Sequence, residues 1–118
     1  MLRPILDIYV REGEPRKIWF TCSEQDLYIW FSDENEIIKF EYSYDKPFNE
    51  KSLLWKRTGS FSHTAIDDGS RPGKHPSSPI SLGRVALDKA KVIMKLNNNA
   101  GVIPAEYLSF LTEQIKEL

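Results

Sequence analysis

Between Ile5 and Tyr44 the side chains fall into two alternating sets, one for each face of a β-strand. Both sets are apolar, and one of them is rich in aromatic residues. Successive side chains of a β-strand point to opposite faces, so this pattern predicts a run of strands with two distinct faces. The first face is mostly aliphatic, as a buried sheet surface is: Leu6, Ile8, Val10, Ile18, Phe20, Cys22, Leu27, Ile29, Phe31, Ile38, Phe40, Tyr42 and Tyr44. The second face carries four large aromatic side chains and two isoleucines: Ile5, Tyr9, Trp19, Tyr28, Trp30 and Ile37.

Turn-forming residues separate the alternating runs at three places, and short loops of this kind join antiparallel neighbours. A three-residue loop at 13–15 is expected to place Tyr9 opposite Trp19. The pairs expected from two-residue loops at 24–25 and 34–35 are Trp19 with Trp30, Thr21 with Tyr28, Trp30 with Lys39, and Phe31 with Ile38. These loop lengths predict a meander of hairpins whose aromatic side chains share one face.

The second half of the chain predicts two more strands, a long loop and two helices. The strands are expected at 52–57 and 61–66. Residues 67–83 are rich in proline and glycine, and their prolines exclude a helix interior or a central strand. Apolar residues at helical spacing in 84–118 predict one helix directly after the loop and a second one from Pro104 onward.

Together these elements predict a single α+β domain spanning residues 1–118. Its sheet, from residues 1–66, is an antiparallel meander of five to six strands. The two C-terminal helices are expected to pack on one face of this sheet, the aliphatic one. A chain of 118 residues is long enough for one hydrophobic core of its own.

Charge and composition narrow the classes of function. The 16 basic and 17 acidic residues give a formal net charge of −1, which supplies no long-range attraction for phosphate backbones, so nucleic acid is a disfavoured partner. Cys22 is the only cysteine, which excludes an internal disulfide. A signal-peptide pattern, an apolar run of membrane-spanning length and a phosphate-binding motif are all missing from the sequence. We therefore expect a cytoplasmic protein without membrane contact and without a cofactor.

The aromatic face is the strongest functional signal in the sequence. A sheet face that meets water normally carries polar residues, so large aromatics there need a cover. Tryptophan and tyrosine are preferred anchors of protein interfaces. The sequence thus predicts a non-enzymatic binding or assembly module that contacts a protein partner or forms a homodimer. The expected binding residues are Tyr9, Trp19, Tyr28, Trp30 and, as a cation over Trp30, Lys39.

The aromatic face is also compatible with three different covers. A C-terminal helix or the 67–83 loop could lie over it, which would leave a three-layer core and no site. A small ligand could occupy it. A platform for single-stranded nucleic acid also places aromatics on a sheet face, with Arg11, Lys17 and Lys39 on the same side, although nearby carboxylates weaken the attraction for phosphates.

A second candidate for function is a cluster of metal-binding residue types. His63, Asp67, Asp68 and His75 lie within thirteen positions of one another, and imidazole and carboxylate groups are ligands that divalent metals use. This cluster defines the alternative hypothesis of a metal-dependent hydrolase or small-ligand enzyme. A purely structural role competes with it, because His63 is expected to lie opposite Trp55 and to pack against its ring.

Overall fold

The computed structural model describes residues 2–5, 13–46, 49–67 and 80–118 of the chain. Within these residues seven strands form one sheet in sequence order, and each strand is antiparallel to the next. The strands are β1 (Arg3–Ile5), β2 (Arg16–Thr21), β3 (Asp26–Phe31), β4 (Ile37–Tyr44), β5 (Lys51–Lys56), β6 (Phe61–Asp67) and β7 (Ile80–Arg84). Two helices follow, α1 (Lys89–Asn98) and α2 (Ala105–Lys116). The predicted α+β class and the antiparallel meander are confirmed.

Both helices pack on the aliphatic face of the sheet, as predicted. The ring of Tyr107 in α2 lies 5.3 Å from that of Phe31, and the ring of Phe110 meets Trp55 edge-on at 5.5 Å. The fully buried side chains come from both layers: Leu2, Leu27, Ile29, Phe31, Phe40, Tyr42, Leu53, Val92, Leu96, Leu111 and Ile115. One hydrophobic core therefore lies between the helices and this side of the sheet.

The loop predicted at 67–83 is wrong at its C-terminal end, because β7 pairs with β6 there. The first helix also begins later than residue 84. Asp88 is its N-cap, and the carboxylate of Asp88 accepts a hydrogen bond from the backbone N–H of Lys91 at 3.1 Å. This cap satisfies a backbone donor that the first turn of a helix leaves free, so the helix begins at Lys89. Residues 68–79 lie outside the described part of the chain.

The predicted two-residue loop between β2 and β3 is wrong. Cys22 donates a backbone hydrogen bond to Gln25 at 2.9 Å and closes a four-residue loop. Trp19 therefore lies opposite Tyr28, and not opposite Trp30, while Thr21 lies opposite Asp26. The register differs from the expected one by two residues, and a shift of two keeps every side chain on its predicted face.

The first strand also differs in register. Ile5 lies opposite Trp19, the position expected for Tyr9. Tyr9 itself lies outside the described residues. In β6, His63 lies opposite Leu53, and Trp55 faces Phe61, so the expected pairing of His63 with Trp55 is wrong by two residues as well. Each of these shifts is again even, so the two faces keep their composition.

A β-bulge exchanges the sides of two isoleucines. The predicted pairing of Trp30 with Lys39 is confirmed, but Phe31 pairs with Ile37 and not with Ile38. Ile38 is thus an extra residue in β4. As a result Ile37 is buried in the core, whereas Ile38 lies with Trp30 and Lys39 on the other side. The predicted faces of these two isoleucines are therefore reversed.

The buried tyrosines make the fold sensitive to alkali. Burial, with a smaller effect from Asp45 and then Asp88, raises the pKa of Tyr44 to about 12, and burial also raises the pKa of Tyr42. A folded-state pKa above the ordinary value of about 10 gives stability that is complete below pH 10 and is lost as pH rises toward 12. We expect urea midpoints to fall between pH 10 and pH 12, with a shallower fall for Tyr44→Phe. An equal slope in both proteins would contradict this assignment.

Candidate functional site

Three aromatic rings form a stack on the sheet face that lies away from the helices. The rings of Trp19 and Tyr28 are 5.3 Å apart with planes 12° from parallel, and those of Tyr28 and Trp30 are 5.9 Å apart at 27°. All three side chains are only partly buried. Because α1 and α2 both pack on the opposite face, neither helix covers this stack. We call Trp19, Tyr28 and Trp30 the aromatic stack.

The sheet register places three lysines in one row with Trp30, at one end of the stack. Lys17 lies opposite Trp30, Trp30 opposite Lys39, and Lys39 opposite Lys56, so these four residues form one transverse row. The amine of Lys39 is 4.2 Å from the centre of the Trp30 ring, and that of Lys17 is 5.4 Å from the Tyr28 ring. Each cation therefore gains from the ring it contacts. We call Lys17, Lys39 and Lys56 the lysine row.

The opposite end of the stack is held by Asp26. Its carboxylate accepts hydrogen bonds from the Trp19 indole Nε1 at 3.1 Å and from the Thr21 hydroxyl at 2.6 Å, and it forms a close ion pair with Lys46. The indole of Trp19 is thus fixed in one orientation by a charged acceptor. The charge of this carboxylate is balanced by Lys46, so it does not offset the lysine row at the other end.

Glu41 is the second carboxylate on this face and lies opposite Tyr28. Burial raises the pKa of the Glu41 carboxyl, while the nearby Lys39 opposes that shift. Burial, followed by the charges of Asp26 and Glu41, also raises the pKa of Tyr28, so its hydroxyl is neutral at physiological pH. Asp26 and Glu41 therefore lie within the aromatic surface, whereas the positive charges lie at the lysine row.

A groove of about 690 Å³ opens at that positive end. Among the described residues, its lining includes the three lysines of the lysine row, Arg57 and one acidic residue, Glu14. Arg57 has partners in the fold, because its Nε donates to the Ile37 carbonyl at 2.8 Å. In the part of the chain that the structure describes, the three lysines have no carboxylate within ion-pair distance. The described part of the groove therefore carries net positive charge, which the nearby Glu41 opposes at Lys39.

The rings of the stack already contact one another and two lysines. The Tyr28 ring is stacked with both indoles, and the Lys39 amine lies over the Trp30 ring. The Lys17 amine lies over the Tyr28 and Trp30 rings as well. Part of each ring is therefore used within the protein, and the two lysines beside the rings favour a negatively charged group in a ligand.

The structure brings together four of the five predicted binding residues, namely Trp19, Tyr28, Trp30 and Lys39. The fifth, Tyr9, lies outside the described residues. The sequence pattern did not reveal Lys56 and Arg57, because the loop between β4 and β5 gives no register. A signal was present, since Lys56 ends a strand whose pairing with β4 places it beside Lys39.

His63 is buried, with 4% of its surface exposed, and serves the core. Its Nδ1 lies 3.1 Å from the carbonyl oxygen of Val85, so Nδ1 carries the proton and donates there. Its Nε2 is then an acceptor for the hydroxyl of Tyr44 at 2.6 Å. Both ring nitrogens of this predicted metal ligand are thus engaged within the fold.

The rest of the predicted metal cluster cannot be placed around His63. Asp68 and His75, like the side chain of Asp67, lie outside the described part of the chain. Among the residues that are described, no three His, Cys, Asp or Glu side chains group as metal ligands do. The metal cluster therefore stays a prediction.

Comparisons of the chain with protein-family models, with curated proteins and with solved structures found no match. No helix in the described ranges has the length and hydrophobicity needed to cross a membrane. An assignment of function therefore depends on the aromatic stack and its surroundings.

Proposed function

We propose that this protein is a non-enzymatic binding or assembly module of the cytoplasm, which associates with another protein through its aromatic face. The observation that carries this proposal is the aromatic stack, which is partly exposed on the side of the sheet opposite both helices. Tryptophan and tyrosine dominate the binding energy of many interfaces, because they bury large areas with few rotatable bonds.

The size of the surface supports a macromolecular partner. Each Trp or Tyr can bury about 150–250 Å², so three together amount to roughly 450–750 Å² before mutual shielding, against roughly 300–600 Å² for the largest apolar patch on a typical monomer. The stack is also held in one arrangement, since Asp26 fixes Trp19 and the rings fix one another. A surface that is already ordered loses little conformational entropy on binding.

Self-association is the form of this proposal that needs no other molecule. A homodimer with two-fold symmetry would use the same face on both copies. A two-fold axis in the plane of the interface, near Tyr28 and perpendicular to the line from the lysine row to Asp26, would place the lysine row of each copy over the Asp26 end of the other. Light scattering over a range of concentrations tests this directly.

The double variant Trp19→Ala with Trp30→Ala is expected to remove association. Loss of one central aromatic anchor weakens an interface by about 2 kcal/mol or more, which is about thirtyfold in affinity. The mass of the variant should then stay at the 13.7 kDa of one chain at concentrations where the wild-type mass increases.

A matched control removes exposed apolar side chains elsewhere. Met94 and Val102 are 55% and 64% exposed, outside the aromatic face, and their replacement by alanine should leave association unchanged. Circular dichroism would show that each variant is folded. If the wild type remains monomeric at every concentration, self-association is excluded; if the tryptophan variant associates as the wild type does, the aromatic face is not the interface.

A further inference from the structure

We propose that the groove at the lysine row receives an acidic segment of a different protein, with neighbouring Asp or Glu side chains beside an apolar one. This inference deepens the proposed function and rests on it. It names the chemistry of the partner at one end of the same face. Charge complementarity is the argument for it.

The lysine row is an arrangement that the fold alone disfavours. Lys39 and Lys56 lie directly opposite each other on neighbouring strands, and like charges in such pairs are destabilising. Lys17 adds a third amine across Trp30. No described carboxylate lies within ion-pair distance of any of them. Repulsion between neighbouring lysines is expected at a binding site, where the same amines attract the carboxylates of a ligand.

The walls of the groove define the remaining part of the occupant. Pro15, Trp30 and Ile38 give it an apolar lining between the cationic groups. The volume of the groove, about 690 Å³, lies within the range of about 300–1,000 Å³ that is typical of ligand-binding clefts. An apolar side chain flanked by carboxylates would fill this space and place its charges at the amines.

Two other occupants fit the same surface less well. Single-stranded nucleic acid stacks its bases on free ring faces, and in this stack the rings already contact one another and the Lys39 amine. A second copy of this chain would bring Asp26 to the groove, but that carboxylate is already paired with Lys46. An acidic segment of a different protein needs no free ring face, and its carboxylates are not already paired within this protein.

The experiment uses two capped eight-residue peptides, one alternating glutamate with leucine and the other alternating glutamine with leucine. An extended peptide of this length spans about 27 Å, enough to run from the groove across Trp19. Titration of the full-length protein, followed by tryptophan fluorescence and by NMR shifts, gives both affinities. We expect the glutamate peptide to bind about tenfold more tightly at low salt and to lose most of that advantage at about 0.5 M salt.

The variant Lys39→Gln with Lys56→Gln should reduce the advantage of the glutamate peptide to about twofold or less. The matched control is Lys91→Gln with Lys116→Gln, which removes two helix lysines and should leave both affinities unchanged. Equal binding of the two peptides to the wild type, no binding of either at millimolar concentration, or an unchanged advantage in the Lys39 and Lys56 variant would overturn the inference.

A third protein, Trp19→Ala, separates this inference from the proposed function, because Trp19 belongs to the aromatic stack but does not line the groove. Weaker peptide binding to Trp19→Ala, without a difference between glutamate and glutamine, contradicts the acidic partner and supports the aromatic face. Unchanged binding to Trp19→Ala, with full dependence on Lys39 and Lys56, supports the groove and contradicts the proposed role of the aromatic face.

Discussion

Replacement of Gly101 by alanine is expected to lower the free energy of unfolding by about 4 kcal/mol. Gly101 lies between the two helices with φ of +59°, where residues with a side chain are strained. A Cβ atom there would lie 2.0 Å from the carbonyl oxygen of Leu2, a distance that forces the backbone to move. Leu2 is fully buried and donates its N–H to Asn99 at 2.9 Å, so it has no free space to move into.

Gly59→Ala is the control for this substitution. Gly59 also has a positive φ, +101°, but a Cβ atom there would have nothing within 4 Å. It measures the cost of backbone strain without a close contact. Because φ of +101° is less accessible to alanine than φ of +59°, any greater loss at Gly101 is a lower bound on the cost of the contact with Leu2. Urea denaturation provides both values. A Gly101 variant that is more stable than the Gly59 variant would contradict the expected contact with Leu2.

His63→Ala is expected to lower the free energy of unfolding by about 3 kcal/mol, through a cavity and two lost hydrogen bonds. The substitution leaves the Tyr44 hydroxyl and the Val85 carbonyl without the ring nitrogens they contact. Ser62→Ala is the control, because Ser62 directly precedes His63 in the same strand but lies on the other face. It should change stability by less than about 1 kcal/mol. A loss of similar size in both variants would contradict the buried role of His63.

Substitutions of His63 also distinguish a role in the core from a role in metal binding. If His63 and His75 bind a metal, the double substitution His63→Ala with His75→Ala should remove metal that elemental analysis detects in the wild-type protein. If His63 only supports the core, the His63→Ala variant should lose stability while the metal content stays the same. The two measurements can be made on one preparation.

The order of the strands was predictable because alternation and turn residues are local properties. Between residues 16 and 44 the pattern predicts the correct three strands, and their aromatic side chains on the correct face. The registers were wrong by two residues at two pairings and by four residues at the first, since loop length alone does not show how many turn residues bond to each other. Cys22 and Gln25 close the loop between β2 and β3, and neither is a typical turn former.

The errors that changed a face or an element have separate causes. Ile37 and Ile38 are adjacent and identical, so hydrophobicity could not show which one enters the core. The composition around strand β7 indicates a loop because prolines and glycines precede it, although Ile80 and Leu82 alternate as strand residues do. The pattern predicts a helix beginning at 84 because apolar spacing continues through Val85 and Ala86, upstream of the Asp88 cap.

The aromatic part of the candidate site and the lysines Lys17 and Lys39 beside it were predictable, whereas the contribution of Lys56 was not. Trp19, Tyr28 and Trp30 share a face under any even register, so their proximity did not depend on the loop lengths. The positive groove depends on Lys56 lying opposite Lys39, which is a contact between strands joined by a longer loop. The ion pair of Asp26 with Lys46 depends on the same three-dimensional arrangement.

The first edge of the sheet bears on what kind of oligomer this protein can form. In the described residues strand β1 spans Arg3–Ile5, and its Pro4 has no amide hydrogen to donate to an added strand. Arg3 brings a charge to the same stretch. Strand addition is therefore disfavoured along this stretch, which favours association through the face of the sheet over association through this edge.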